Sequence, residues 1–109
     1  MSHERYQSAI QTLHDCMVAC NHCYDACLDE SDVNLMADCI RLDRECADIC
    51  NYLEQALVRG TPIVSELATA CAAICEACGN ECKKHNHQHC QDCANACFRC
   101  ADECKKLAA

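Results

Sequence analysis

One pattern governs what this chain can become. Cysteine recurs as C-x-x-x-C-x-x-C-x-x-x-C in three separate stretches: Cys16, Cys20, Cys23 and Cys27; Cys71, Cys75, Cys78 and Cys82; and Cys93, Cys97, Cys100 and Cys104. A fourth stretch carries Cys39, Cys46 and Cys50 on the same frame, with Asp43 in the second slot, and Cys90 lies one step before the last repeat. These positions account for all 16 cysteines of the 109-residue chain. Steps of 4, 3 and 4 hold four side chains within roughly 60° on one face of an α-helix, along about 16 Å of its axis. The four stripes occupy the positions where helices of a bundle normally show Leu and Ile.

The segments between punctuation read as helices. Ala, Leu, Glu, Gln and Lys fill them, and the sequence has only 2 Gly and 1 Pro, which disfavours a turn-rich sandwich or barrel. The first helix is expected from about Glu4 to Leu28. The second begins near Ser31 or Asp32, either able to cap it, and reaches about Val58. Gly60-Thr61-Pro62 then reads as a left-handed stop, an N-cap and a first helical residue. A third helix extends to about Lys84. His85-Asn86-His87 is a tight connection with Asn86 as the cap, and a fourth helix runs to about Lys106. Gly79, inside the third helix, costs roughly 1 kcal/mol against Ala and points to a close helix contact. Short connections force antiparallel neighbours, so the expected fold is all-α: a single domain over residues 1–109, folded as an up-down-up-down four-helix bundle with a cysteine-lined core.

Composition sharpens the question of what fills that core. Leu, Ile, Val and Phe together number 18, and the net charge is −8. A chain so poor in large apolar residues normally buries too little surface to offset its conformational entropy, so cysteine must supply the interior. A simpler account treats the cysteines as small buried hydrophobes. It explains one or two of them, but not fifteen on one frame, since Leu or Val buries more area per residue.

The start of the chain, MSHERYQSAIQTLHDC, lacks a basic segment followed by an apolar run and a cleavage site, and no stretch is apolar enough to span a membrane. A reducing cytosol is the expected compartment, where dense thiols point to metal rather than disulfides. A mature exported chain with a new Met would read the same way. The negative charge disfavours nucleic acid as a partner. No Ser/His/Asp order, phosphate loop or paired-carboxylate signature suggests an enzyme.

Three chemistries compete for the stripes. Disulfides between facing helices would give a structural bundle, but two cysteines per helix suffice for that, and a continuous stripe leaves the pairing ambiguous. The C-x-x-C pairs Cys20/Cys23, Cys75/Cys78, Cys90/Cys93 and Cys97/Cys100 resemble zinc-ribbon halves, yet they fall mid-helix rather than in turns. Each four-thiolate zinc site would also bury a charge of −2. Iron–sulfur clusters use other spacings. Cu(I) is soft, prefers thiolate, and accepts two or three ligands, so it can join neighbours along or between helices. One Cu(I) per thiolate is neutral, which suits a low-dielectric core.

The repeats, with CIRLDRECADIC at Cys39–Cys50 and CAAICEACGNEC ending at Cys82, resemble the cysteine-lined four-helix-bundle copper storage proteins of bacteria, most nearly their cytosolic branch. The likeness covers almost the whole chain. It implies storage of many Cu(I) ions per chain on inward thiolates, for supply or detoxification, in a homotetramer of bundles. All sixteen cysteines match the inward ligand frame, Cys90 standing just beyond the shared repeat. Asp43 either engages a neighbouring group or leaves a gap.

Extended past their ends, the stripes predict two unlike termini of the bundle. One reads Ala9, Leu13, Leu53, Leu57, Val64, Leu67 and Leu107, an apolar plug. The other reads Glu30, Met36, His85 and His87, with His89 nearby. Imidazole and thioether are copper ligands able to pass an ion onward, so Met36, His85 and His87 are expected to form an entry port. His3, His14 and His22 lie off the stripes and are expected at the surface. The acidic surface would suit docking of a basic copper chaperone.

Overall fold

The computed structural model describes the backbone of residues 2–109 and the side chains from Glu4 onward. The elements are α1 (Ser2–Arg5), α2 (Gln7–Leu28), a 3-10 turn (Val33–Met36), α3 (Ala37–Val58), α4 (Val64–Cys82) and α5 (Gln88–Ala108). No strand occurs among the described residues. The long helices pack in sequence around a square, α2 on α3, α3 on α4, α4 on α5 and α5 back on α2, in a rod of 47 × 19 × 17 Å. This is the antiparallel bundle that the short connections require. No helix is long and apolar enough to cross a membrane.

Several boundaries differ from the sequence reading, each for a local reason. The first helix is interrupted at Tyr6 (φ −108°, ψ 13°), although Ile10 N–H still donates to Tyr6 O at 2.8 Å. Asp32 does not cap an α-helix. Its carboxylate receives His87 Nε2 at 3.2 Å, and the chain winds through the 3-10 turn before α3 begins at Ala37. Gly60 has φ 74°, as its stop role demands. Gly60 N–H donates to Leu57 O (3.2 Å) and Thr61 N–H to Ala56 O (3.0 Å), the two bonds of a Schellman motif. Pro62 is not the first residue of α4. The Thr61 hydroxyl accepts the Ile63 N–H at 3.3 Å in a local turn, which delays the helix to Val64. At the last connection His87 (φ −62°, ψ 138°), not Asn86, stands at the cap position. The loop is tied instead by the Gln91 amide, which donates to His85 O (2.6 Å) and Lys83 O (3.1 Å).

Gly79 marks the close approach that its place in α4 predicts. A Cβ there would lie 2.8 Å from Phe98 Cε1 of α5, so the missing side chain makes room for the ring. The interior is sulfur: all sixteen cysteines are fully buried. Leu13, Leu53 and Leu57 close one end, with Ala9 buried and Val64, Leu67 and Leu107 packed against them. The apolar plug is thus in place, at the end that holds the chain termini.

Candidate metal centre

Because helical stripes from four directions meet on one axis, each sulfur has several sulfur neighbours. Along the helices the i,i+4 pairs touch: Cys16–Cys20 at 4.0 Å, Cys23–Cys27 at 3.8 Å, and Cys71–Cys75, Cys78–Cys82 and Cys93–Cys97 at 3.9 Å. Adjacent helices add Cys20–Cys93 and Cys46–Cys75 at 3.6 Å, Cys20–Cys97 at 3.7 Å and Cys39–Cys82 at 3.3 Å. Even diagonal helices, whose backbones stay apart, meet through sulfur: Cys46–Cys97 at 4.0 Å and Cys50–Cys100 at 3.8 Å. All sixteen cysteines are free thiols.

Four-sulfur groups, each with its atoms within 4.8 Å of one another, follow along the axis: Cys50, Cys71, Cys75 and Cys100; Cys16, Cys46, Cys50 and Cys75; Cys16, Cys20, Cys46 and Cys97; Cys20, Cys78, Cys93 and Cys97; and Cys23, Cys27, Cys39 and Cys90. The first four of these share members, so the sulfurs form a column rather than isolated sites. Cys104 extends the column toward the plug, beside Cys100 and Cys71. Cys90, which stands outside the repeat, is brought into the group nearest the mouth. Shared thiolates suit bridging by a soft ion of low coordination number. Burial pushes the Cys90 thiol up to about 12 and raises that of Cys27, which keeps them protonated and neutral when no metal replaces the proton.

Asp43 does not leave a gap. It is fully buried, and its carboxyl group takes contacts from Cys78 and Cys82 at 3.3 Å, Cys93 at 3.4 Å and Cys39 at 3.7 Å. Burial, followed by the thiolate charges of Cys93, Cys78 and Cys39, raises its pKa to about 10. At neutral pH it is therefore a neutral carboxylic acid.

The far end is polar. Met36 is fully buried beneath it. His85 is held by Glu81 (Nε2 to Oε2, 2.9 Å), and His87 by Asp32 and Glu30. His89 makes the connection that the sequence reading assigned to its neighbours. Its Nδ1 lies 3.4 Å from Cys23 Sγ and 3.6 Å from Cys90 Sγ, while Nε2 meets Glu30 Oε2 at 2.7 Å. The signal was available, because His89 stands four residues before Cys93 and so extends the stripe by one step. His14, at the surface, pairs with Glu54 (3.2 Å), and His22 is exposed. The side chain of His3 lies outside the described residues.

The family model described as copper storage protein matches residues 2–109. The chain belongs to the copper storage protein family. Within it, the chain is similar to the Cu(I)-bound copper storage protein BsCsp3, with a TM-score of 0.92 and 52% identity over 95% of this chain and 98% of that one. It is also similar to a cytosolic copper storage protein from Streptomyces lividans in a copper-loading structure with five coppers, with a TM-score of 0.92 and 38% identity over 98% and 94% of the two chains. An uncharacterized cysteine-rich protein of Bacillus subtilis strain 168, YhjQ, is 53% identical over 89 residues, 81% of this chain and 82% of the relative. Copper storage proteins thus share the fold seen here.

Proposed function

We propose that this chain, as one domain over residues 1–109, stores many Cu(I) ions in the cytosol on its sixteen cysteine thiolates. The overlapping four-sulfur groups, dry and continuous along the axis, are the observation that carries this reading. Each ion displaces a thiol proton, so the column exchanges one positive charge for another and stays neutral. Ions enter at the mouth through Met36, His85 and His87. His89 passes them to Cys23 and Cys90, the sulfurs it already touches. The chain acts as a store, not an enzyme, and works as a homo-oligomer, a tetramer by family resemblance. Its net charge of −8 favours a basic copper chaperone as donor.

Anaerobic Cu(I) titration of the reduced protein against a chromophoric chelator tests this. Uptake of many ions per chain is expected, with close to sixteen titratable thiols in the denatured apo-protein. Few free thiols would favour a disulfide-bonded structural bundle. One or two equivalents of zinc or iron with no copper uptake would make it a zinc or iron–sulfur protein.

A further inference from the structure

The outer face of α4 is unlike those of the other long helices. Its outward positions Glu66, Ala70, Ala73, Ala77, Asn80 and, just past its end, Lys84 are all exposed and recur at steps of 4, 3, 4, 3 and 4. That spacing is a seam of period 3.5, the repeat along which two helices pack side by side. The other helices turn charged residues and ion pairs to solvent, such as Arg44–Asp48 on α3 and Lys106–Glu103 on α5. Between Glu66 and Lys84 the seam of α4 carries no charge.

Helix propensity alone would explain exposed alanines, but not what flanks them. Ile63, just before α4, is 43% exposed, and Tyr52, on the flank of α3 that its helical phase turns toward α4, is 51% exposed. Large apolar surface therefore lies in water beside the seam. Along the other side an open groove of about 430 Å3 runs between Thr69, Ala72, Ala73 and Glu76 of α4 and Lys105 and Ala108 of α5. Glu76 on that rim is already neutralised by Lys105 at 2.6 Å. A chain of net charge −8 repels its own copies, and on this face two copies meet without pressing acidic surfaces together.

We propose that a second copy of this chain docks on α4, antiparallel to it and related by a two-fold axis between Ala73 and Ala77. Two-fold symmetry makes every contact reciprocal. The register that sets Glu66 against the partner's Lys84 also sets Lys84 against the partner's Glu66, Ala70 against the partner's Asn80 and Ala73 against the partner's Ala77. Opposite charges meet at both ends at once, so the face is electrostatically complementary to itself. Lys84 is free to take part, being 67% exposed, and keeps Glu81 as a second partner at 3.3 Å. The alanines let the two helix axes approach to about 8 Å, the short end of the range for packed helices. Antiparallel docking points the two mouths to opposite ends of the pair, so neither covers the other. The proposal rests on the homo-oligomer reading and names the surface it uses; it does not depend on the copper chemistry.

Light scattering on reduced protein after size exclusion, with and without Cu(I), reads the assembly directly. Cu(I) capacity is measured alongside, so that failure to store copper registers separately. The parent is expected at an even multiple of the chain mass. Ala73→Glu introduces a good helix former at an exposed position and should halve that mass, with helicity, thiol count and Cu(I) capacity per chain unchanged. Glu66→Lys and Lys84→Glu each bring like charges together at both ends and should weaken association about tenfold. An equimolar mixture of these two variants should restore it, because both ends of the mixed pair again join opposite charges. Should Ala73→Glu lose helicity, the mixture decides. A monomeric parent would overturn both the proposal and the homo-oligomer reading. An assembly that Ala73→Glu leaves at full mass, or a mixture that associates no better than its components, would overturn the α4 surface alone.

Discussion

The two ends of the bundle are built from the same four helices and do opposite things. At the closed end the stripes run on into Leu13, Leu53 and Leu57, fully buried and without polar atoms in their side chains. At the mouth they run on into Met36 and a shell of histidines, each held by a carboxylate. The difference lies in which residues prolong a common frame. It teaches that stability and access can be set separately along a single axis: one end contributes apolar burial, and the other leaves a polar route to sulfur.

The largest expected effect comes from breaking the closed end. Leu53→Ala should destabilise the reduced apo-protein by about 2–5 kcal/mol in urea unfolding, because a fully buried leucine leaves a cavity, while the Cu(I) loading rate stays near that of the parent. Asp43, between the two ends, sharpens the comparison through pH. Its pKa is about 10 folded and near 3.8 unfolded, so the folded state keeps a proton that the unfolded chain has lost. This contribution to stability is full below pH ~4 and is lost progressively as pH rises to about 10. Asp43→Asn should flatten that slope, as measured by urea unfolding at a series of pH values.

Gly79→Ala should cost ~1 kcal/mol net in thermal unfolding, since the displaced Phe98 ring outweighs the gain in helix propensity. The smallest change in stability, within ~0.5 kcal/mol, is expected from His85→Ala/His87→Ala at the mouth. Stopped-flow loading should nevertheless be slower, with capacity reduced at most by ions held at the mouth itself. Equal loading rates would remove the histidines from the entry route.

Legibility in the sequence followed periodicity. The helices, their order, the sulfur lining and the plug were readable because the 4-3-4 step fixes a face, and the Gly60 stop because only one backbone conformation suits it. Residues governed by contacts across the bundle were not. Asp32 reads as a cap but is drawn away by His87, 55 positions later in the chain. Asp43 reads equally as a gap or a contact until α4 and α5 bring Cys78, Cys82 and Cys93 around it. His89 reads only as a neighbour of the mouth, because Cys90 beside it competes for the same step of the stripe, although its i,i+4 relation to Cys93 places it over the column.

Diagonal sulfurs in contact across the axis mean that the empty bundle has its shelves at working spacing and little room to shrink. Filling it is then an ion-exchange process: a proton leaves for every copper that arrives, and the girth of the rod changes little. Acidification should accordingly compete with copper for every berth at once, so a modest fall in pH would loosen the whole cargo rather than its outermost ions.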